Sequence, residues 1–126
     1  PIAVTGMRDA VAVADPARLE QALGHLIQNA IEASAPGEPV GVVVGRATIE
    51  VIDAGPGMSA SFIRDRLFRP FTSTKSGGFG IGAFEARQVI QAMGGKLDVV
   101  SREGEGTRFT IVLREALAPA KMERAA

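Results

Sequence analysis

Between Asp15 and Ser34 the apolar residues Leu19, Ala22, Leu23, Leu26, Ile27, Ala30 and Ile31 recur every three or four positions. That spacing predicts a helix with one wide apolar face. Gln21, His25, Gln28, Asn29 and Glu32 gather on the other side. Asp15-Pro16 supplies an N-cap and a first-turn proline, and Ser34-Ala35-Pro36-Gly37 ends the helix. The period then changes. Val40 to Val44 and Thr48 to Ile52 are β-branched runs separated by Gly45-Arg46, which predicts a tight hairpin. Ser59 or Ser61 caps a short helix through Arg66. A second long helix runs from Ile81 to Met93, with Ala86, Val89, Ile90 and Met93 on one side and Arg87, Gln88 and Gln91 on another. Gly94-Gly95 supplies its stop. Strands follow at about Leu97 to Ser101 and Arg108 to Leu113, joined by Glu103-Gly104-Glu105-Gly106. Val11-Ala12-Val13 is a short apolar run ahead of the first helix, and the chain opens inside what reads as a strand. Helices and strands interleave while hairpins dominate the strand pairing. An α/β (α+β) fold follows, a sheet with one face covered by helices and the other wet or covered by sequence outside this chain.

At 126 residues, this pattern fits one domain with a single modest core, residues 1–114, and a charged, alanine-rich tail, residues 115–126, that is frayed or a short helix. Apolar residues make up 46% and charged residues 22%, and the net charge is zero, so nothing argues for nucleic acid or an anionic membrane surface. There is no cysteine, which removes disulfides, thiol nucleophiles and zinc–thiolate sites together. No apolar run approaches the roughly 18 residues of a membrane span.

The chemistry concentrates between Val51 and Gly82. Asp53, at the end of a strand, is followed by the turn Ala54-Gly55-Pro56-Gly57, where glycines let a flat ring approach the backbone. Gly78, Gly80 and Gly82 form a glycine-rich loop feeding a helix N-terminus, which offers backbone N–H groups to a phosphate. A base at one end and phosphates at the other describe a nucleotide site. Either stretch alone is weak, since turn aspartates and glycine loops are common. Asn29 and His25 lie at i and i+4 and share one helical face. They belong either to the solvated side or to the site. In the second case Asn29 offers its amide oxygen to Mg²⁺, which needs only one or two protein oxygens besides phosphates, and His25 orients or deprotonates a group near the γ-phosphate. Lys75 is either a solvated surface charge or a point charge on the β- or γ-phosphate. Thr107 either completes the hydrogen bonds around the base or is a plain turn threonine. Phe68, Pro70 and Phe71 read as anchors rather than ligand contacts.

These stretches resemble the catalytic ATP-binding domain of two-component sensor histidine kinases, in the superfamily shared with gyrase, HSP90 and MutL ATPases. His25-Leu26-Ile27-Gln28-Asn29-Ala30 is similar to the N box, Val51 to Gly57 to the first glycine box, and Phe68-Arg69-Pro70-Phe71 to the F box. Gly78-Phe79-Gly80-Ile81-Gly82 resembles the second glycine box, and Gly104-Glu105-Gly106-Thr107-Arg108-Phe109 a third. The resemblance covers about Asp15 to Leu113. It implies a two-layer sandwich of the Bergerat type, with a mixed, mostly antiparallel sheet backed by about three helices. It also implies that Asp53 accepts from the adenine amine, Asn29 holds Mg²⁺, Gly55 and Gly57 shape the adenine turn, and residues 68–82 cover the triphosphate.

Three departures stand out. His25 occupies the position where the ATPase branches carry a water-activating glutamate, which points to phosphotransfer over hydrolysis. Phe79 replaces a frequent threonine. His25 is the only histidine, and no acidic residue follows it, so the phosphoacceptor histidine belongs to a dimerisation domain upstream. The implied cofactors are ATP and Mg²⁺. The implied partners are that domain and a response regulator, with no nucleic acid and no membrane contact by this domain. A cytoplasmic location, a monomeric fragment and a homodimeric full-length protein are the matching expectations. The rivals are an ATPase of the same superfamily, a non-catalytic nucleotide-binding domain, and a serine-kinase anti-sigma factor.

Overall fold

The computed structural model describes residues 2–6, 12–69 and 81–115. The elements in order are β1 (Ile2–Gly6), β2 (Ala12–Val13), α1 (Pro16–Ala33), β3 (Val40–Gly45), β4 (Thr48–Asp53) and α2 (Ala60–Phe62). After α2 come a π-helical turn (Ile63–Leu67), α3 (Ile81–Ala92), β5 (Lys96–Arg102), β6 (Gly106–Val112) and β7 (Arg114–Glu115). Five strands form one sheet in the order β1-β3-β4-β6-β5. β1 runs parallel to β3 and every other pairing in that sheet is antiparallel, so it is mixed and mostly antiparallel. β2 and β7 make a separate antiparallel pair, Ala12 opposite Glu115 and Val13 opposite Arg114.

Local chemistry explains the element ends. Asp15 Oδ1 accepts from the backbone N–H of Ala17 at 3.1 Å and of Arg18 at 3.3 Å, which satisfies two donors that the helix start leaves unpaired, while Pro16 has no N–H to satisfy. At the other end the Ser34 hydroxyl donates to the Ala30 carbonyl at 2.8 Å. α3 closes in a Schellman arrangement: Gly95 N–H donates to Ile90 O and Gly94 N–H to Gln91 O, with Gly94 at φ +82°. Ser59, rather than Ser61, caps α2, accepting from Phe62 N–H at 3.1 Å.

The hairpin between β3 and β4 differs from expectation. Gly45 pairs with Thr48, so the turn residues are Arg46 and Ala47, one position later, and Ala47 adopts φ +55°. Glycine is the residue that normally announces such a conformation, and here the glycine ends the strand instead. The short helix also differs, since it continues past Phe62 as a π-turn rather than regular α-helix.

One face of the sheet carries the core. Val51, Phe109, Ile111 and Leu97 point to the same side as Val40 and are all buried, packing with Ala22, Leu26 and Ala30 of α1 and Ala83, Ala86 and Ile90 of α3. Val89 and Phe68 pack against this cluster from its rim. Arg87, which the periodicity assigns to the solvated side of α3, lies with its guanidinium carbon 4.2 Å from the centre of the Phe68 ring. That cation–π contact ties α3 to the segment entering residues 70–80. Among the described residues the opposite sheet face is open: Val100 is 61% exposed, and Arg108 meets Glu50 at 3.8 Å across adjacent strands. Among the described residues no helix is long and apolar enough to cross a membrane.

Gly24 sits in the middle of α1, and a Cβ added there meets no atom within 4 Å. Nothing in the packing requires a glycine, so its backbone entropy is an unneeded cost. Gly24→Ala is expected to raise stability by roughly 0.5–1 kcal/mol, read as a higher midpoint in urea at unchanged slope. A lowered midpoint would mean that an unseen contact occupies this position.

Candidate functional site

At one end of the site stands Asp53, the last residue of β4 and only 7% exposed. Alternation along β4 puts it on the same face as Val51, so the apolar pattern that fills the core also carries this carboxylate inward. Its Oδ1 accepts from Gly55 N–H at 2.8 Å, a local Asx-type turn. Burial pushes the Asp53 carboxyl above its ordinary range, and the backbone N–H groups of Gly55 and Thr107 pull it part of the way back. Thr107 is the Cα partner of Asp53 across β4 and β6 and is 6% exposed. It therefore lies in the strand beside the carboxylate, not in the preceding turn.

The turn after Asp53 is held by close backbone approach. A Cβ on Gly55 falls 2.5 Å from the Ala33 carbonyl oxygen at the end of α1. Gly57 has φ +73°, and a side chain there runs into the carbonyl of Arg102. Gly104 N–H donates to Pro56 O at 2.7 Å, so the β5–β6 hairpin is laced to the same turn. Ser101 completes this end: its hydroxyl oxygen lies 2.8 Å from Met58 N, 2.9 Å from Gly106 O and 2.8 Å from the Thr107 hydroxyl. A cleft of about 280 Å³ borders this end, lined by Asp53, Ser101 and Thr107 and also by Ile52, Val100 and Arg108 of the open sheet face.

At the other end α3 begins against α1. A Cβ on Gly82 falls 3.0 Å from Asn29 Nδ2 and 3.5 Å from the Cβ of His25, so a side chain there would press on the Asn29 amide where the two helices meet. Asn29 is 7% exposed, which excludes the solvated-face reading; Gln28 and Glu32 beside it are exposed. Its Nδ2 is buried with no hydrogen-bond partner among the described residues. A buried polar group of that kind is costly unless a ligand supplies the partner. His25 is half-buried and lines a groove of about 260 Å³ between α1 and α3 with Arg18, Gln21, Glu85, Gln88 and Val89.

His25, Asn29 and Ala33 are spaced by four along α1 and so form one stripe. The stripe touches the start of α3 at Gly82 and the glycine turn at Gly55. At 1.5 Å per residue it measures about 12 Å, and the two ends of the site lie along it.

The fold thus brings Asp53, Gly55, Gly57 and Thr107 to one end and Asn29, His25 and Gly82 to the other. Lys75, Gly78 and Gly80, with Pro70, Phe71 and Phe79, lie outside the described residues. Ser101 was missed by sequence reasoning. Its signal is faint: along Leu97, Val99 and Ser101 the inward-facing position turns polar where period two predicts an apolar side chain. A Mg²⁺ site built on Asn29 fits the donor set, because a neutral amide has an oxygen to give and phosphates supply the rest. Among the described residues no cluster of three or more His, Cys, Asp or Glu side chains forms a metal cage of its own.

The sequence pattern of the family described as histidine kinase-, DNA gyrase B-, and HSP90-like ATPase matches residues 14–117. Similar proteins include the C4-dicarboxylate transport sensor protein DctS of Rhodobacter capsulatus, 44% identical over 108 residues, covering 79% of this chain and 16% of that protein. The sensor histidine kinase ZraS of Escherichia coli (strain K12) is 36% identical over 104 residues, covering 79% of this chain and 22% of the other. The chain therefore spans about a sixth to a quarter of the length of these relatives. Among solved structures, the catalytic domain of histidine kinase ThkA in a nucleotide-free form superposes with a TM-score of 0.77 at 28% identity, covering 90% of this chain and 80% of that one. Full-length ShkA in complex with AMPPNP superposes at 0.70 with 26% identity, covering 94% and 27%.

Proposed function

The chain belongs to the histidine kinase-, DNA gyrase B-, and HSP90-like ATPase family, and from that premise we propose that it binds Mg·ATP and presents the γ-phosphate to a histidine on a separate dimerisation domain. The observation that carries this reading is the two-ended site along α1. A buried carboxylate beside a buried threonine marks one end, and a buried asparagine whose amide nitrogen has no hydrogen-bond partner among the described residues marks the other.

In this reading Asp53 and Thr107 hold the adenine, with Gly55 and Gly57 giving the ring access to the backbone. Asn29 would hold Mg²⁺ through its amide oxygen, and the ion would supply charge neutralisation on the phosphates. Gly78, Gly80 and Gly82 would offer backbone N–H groups to the triphosphate, and Lys75 a positive charge. His25, a turn before Asn29, would orient the group at the γ-phosphate. Phosphoryl transfer asks little covalent work of a protein, so positioning and charge stabilisation are what such a site must provide. Histidine at this place on α1, rather than a carboxylate that activates water, supports transfer over hydrolysis. The parent protein would act as a homodimer in two-component signalling, with a response regulator as its next partner. This domain, residues 1–114 with the tail 115–126, would work on the cytoplasmic side, as a monomer when isolated.

The test is to mix the chain with the histidine-bearing dimerisation segment of its parent protein and γ-labelled ATP. Acid-labile, alkali-stable label on the second segment is the expected result. Steady release of free phosphate with no labelled protein would make the chain an ATPase, and nucleotide binding with neither outcome would make it a non-catalytic domain.

A further inference from the structure

We propose that Ser101 is a positioning residue for base selection, because it fixes the direction in which the Thr107 hydroxyl points its hydrogen. The inference rests on reading Asp53 and Thr107 as the base-binding end of the site.

Among the described residues Ser101 Oγ has three polar neighbours: Met58 N at 2.8 Å, Gly106 O at 2.9 Å and Thr107 Oγ1 at 2.8 Å. The Met58 backbone N–H can only donate and the Gly106 carbonyl can only accept. Ser101 has a single hydrogen, and Gly106 O needs it; two oxygens 2.9 Å apart with no hydrogen between them repel. The Ser101–Thr107 contact must then use the hydrogen of Thr107. Ser101 ends with one hydrogen given and two accepted, which exhausts a hydroxyl.

The consequence falls on Thr107. Its hydrogen is turned away toward Ser101, so its oxygen meets the base with lone pairs alone. The Asp53 carboxylate next to it is also an acceptor, with Oδ1 already engaged by Gly55. That corner of the site therefore accepts and does not donate. A purine with an exocyclic amine there finds two acceptors, and a purine with a carbonyl finds lone pairs facing lone pairs. Selectivity built on such mismatch is large, because the wrong ligand leaves buried polar groups unpaired. Without Ser101, the Thr107 hydroxyl turns and donates to a carbonyl.

The readout is the ratio of dissociation constants for ITP and ATP, measured by calorimetry. Ser101→Ala is expected to reduce that ratio about tenfold, chiefly by improving ITP binding relative to ATP. Ser101→Thr keeps the hydroxyl and should keep the ratio. Thr107→Val should also lower it, and Ser101→Ala added to Thr107→Val should lower it no further, since the two act as one unit. A merely structural serine would weaken ATP and ITP equally, and that result overturns the proposal. If Ser101→Ala does not fold, Thr107→Val decides: unchanged discrimination in that variant also overturns it. Failure of the underlying reading looks different, because Asp53→Ala would then leave ATP binding intact.

Discussion

Replacing Asp53 with alanine is expected to weaken ATP binding by roughly ten- to a hundredfold, because a hydrogen bond to a charged acceptor contributes about 1.5–3 kcal/mol. The same carboxylate works against the empty fold. Burial raises its pKa above the unfolded value, with the Gly55 and Thr107 N–H groups only partly opposing this. A group with a raised folded pKa contributes stability that is fully present below its unfolded pKa and is lost as pH rises through the folded one. At neutral pH the ionised Asp53 therefore destabilises the ligand-free protein. Asp53→Asn removes that penalty and should flatten the fall in stability between acidic and neutral pH while still binding ATP less tightly than wild type. Thermal denaturation across that range, paired with calorimetry, checks both halves. Wild-type ATP affinity in Asp53→Ala would remove Asp53 from the base site.

The parts of this fold that could be read from the sequence are those decided within a few residues. Asp15-Pro16 caps α1 because the capping carboxylate reaches N–H groups two and three residues on, and Gly94 ends α3 because one left-handed residue suffices. Asp53 was legible because the β4 pattern delivers it inward. Decisions made across the chain were not legible in the same way. Periodicity divides α1 into two faces without saying that α3 starts against the polar one, and it is that contact at Gly82 which buries Asn29. The parallel pairing of β1 with β3 joins segments far apart in sequence, and no turn announces it. The π-turn at Ile63–Leu67 breaks the 3.6-residue period on which helix reading depends. Ser101 acquires its role from three segments, the turn at Met58, Gly106 and Thr107, and a lone serine on a strand carries no trace of them.

Asn29→Ala should separate function from stability. The Asn29 Nδ2 is buried against Gly82 with no partner among the described residues, and an unsatisfied buried donor costs about 1–3 kcal/mol. Alanine removes that cost while giving up some packing, so the unfolding midpoint should stay near wild type. Leu26→Ala, three residues earlier and wholly buried, is the contrast: it should lose roughly 2–5 kcal/mol and keep its magnesium response. In Asn29→Ala the affinity for ATP in the presence of magnesium should fall on the order of tenfold or more, since each factor of ten is only about 1.4 kcal/mol and a metal ligand is gone. ATP without magnesium should bind almost as before, because Asp53 and Thr107 at the far end of the α1 stripe are untouched. Calorimetric titrations with and without magnesium measure the difference directly. An Asn29→Ala protein whose ATP affinity still responds to magnesium like wild type would show that the amide closes the α1–α3 contact and holds no metal.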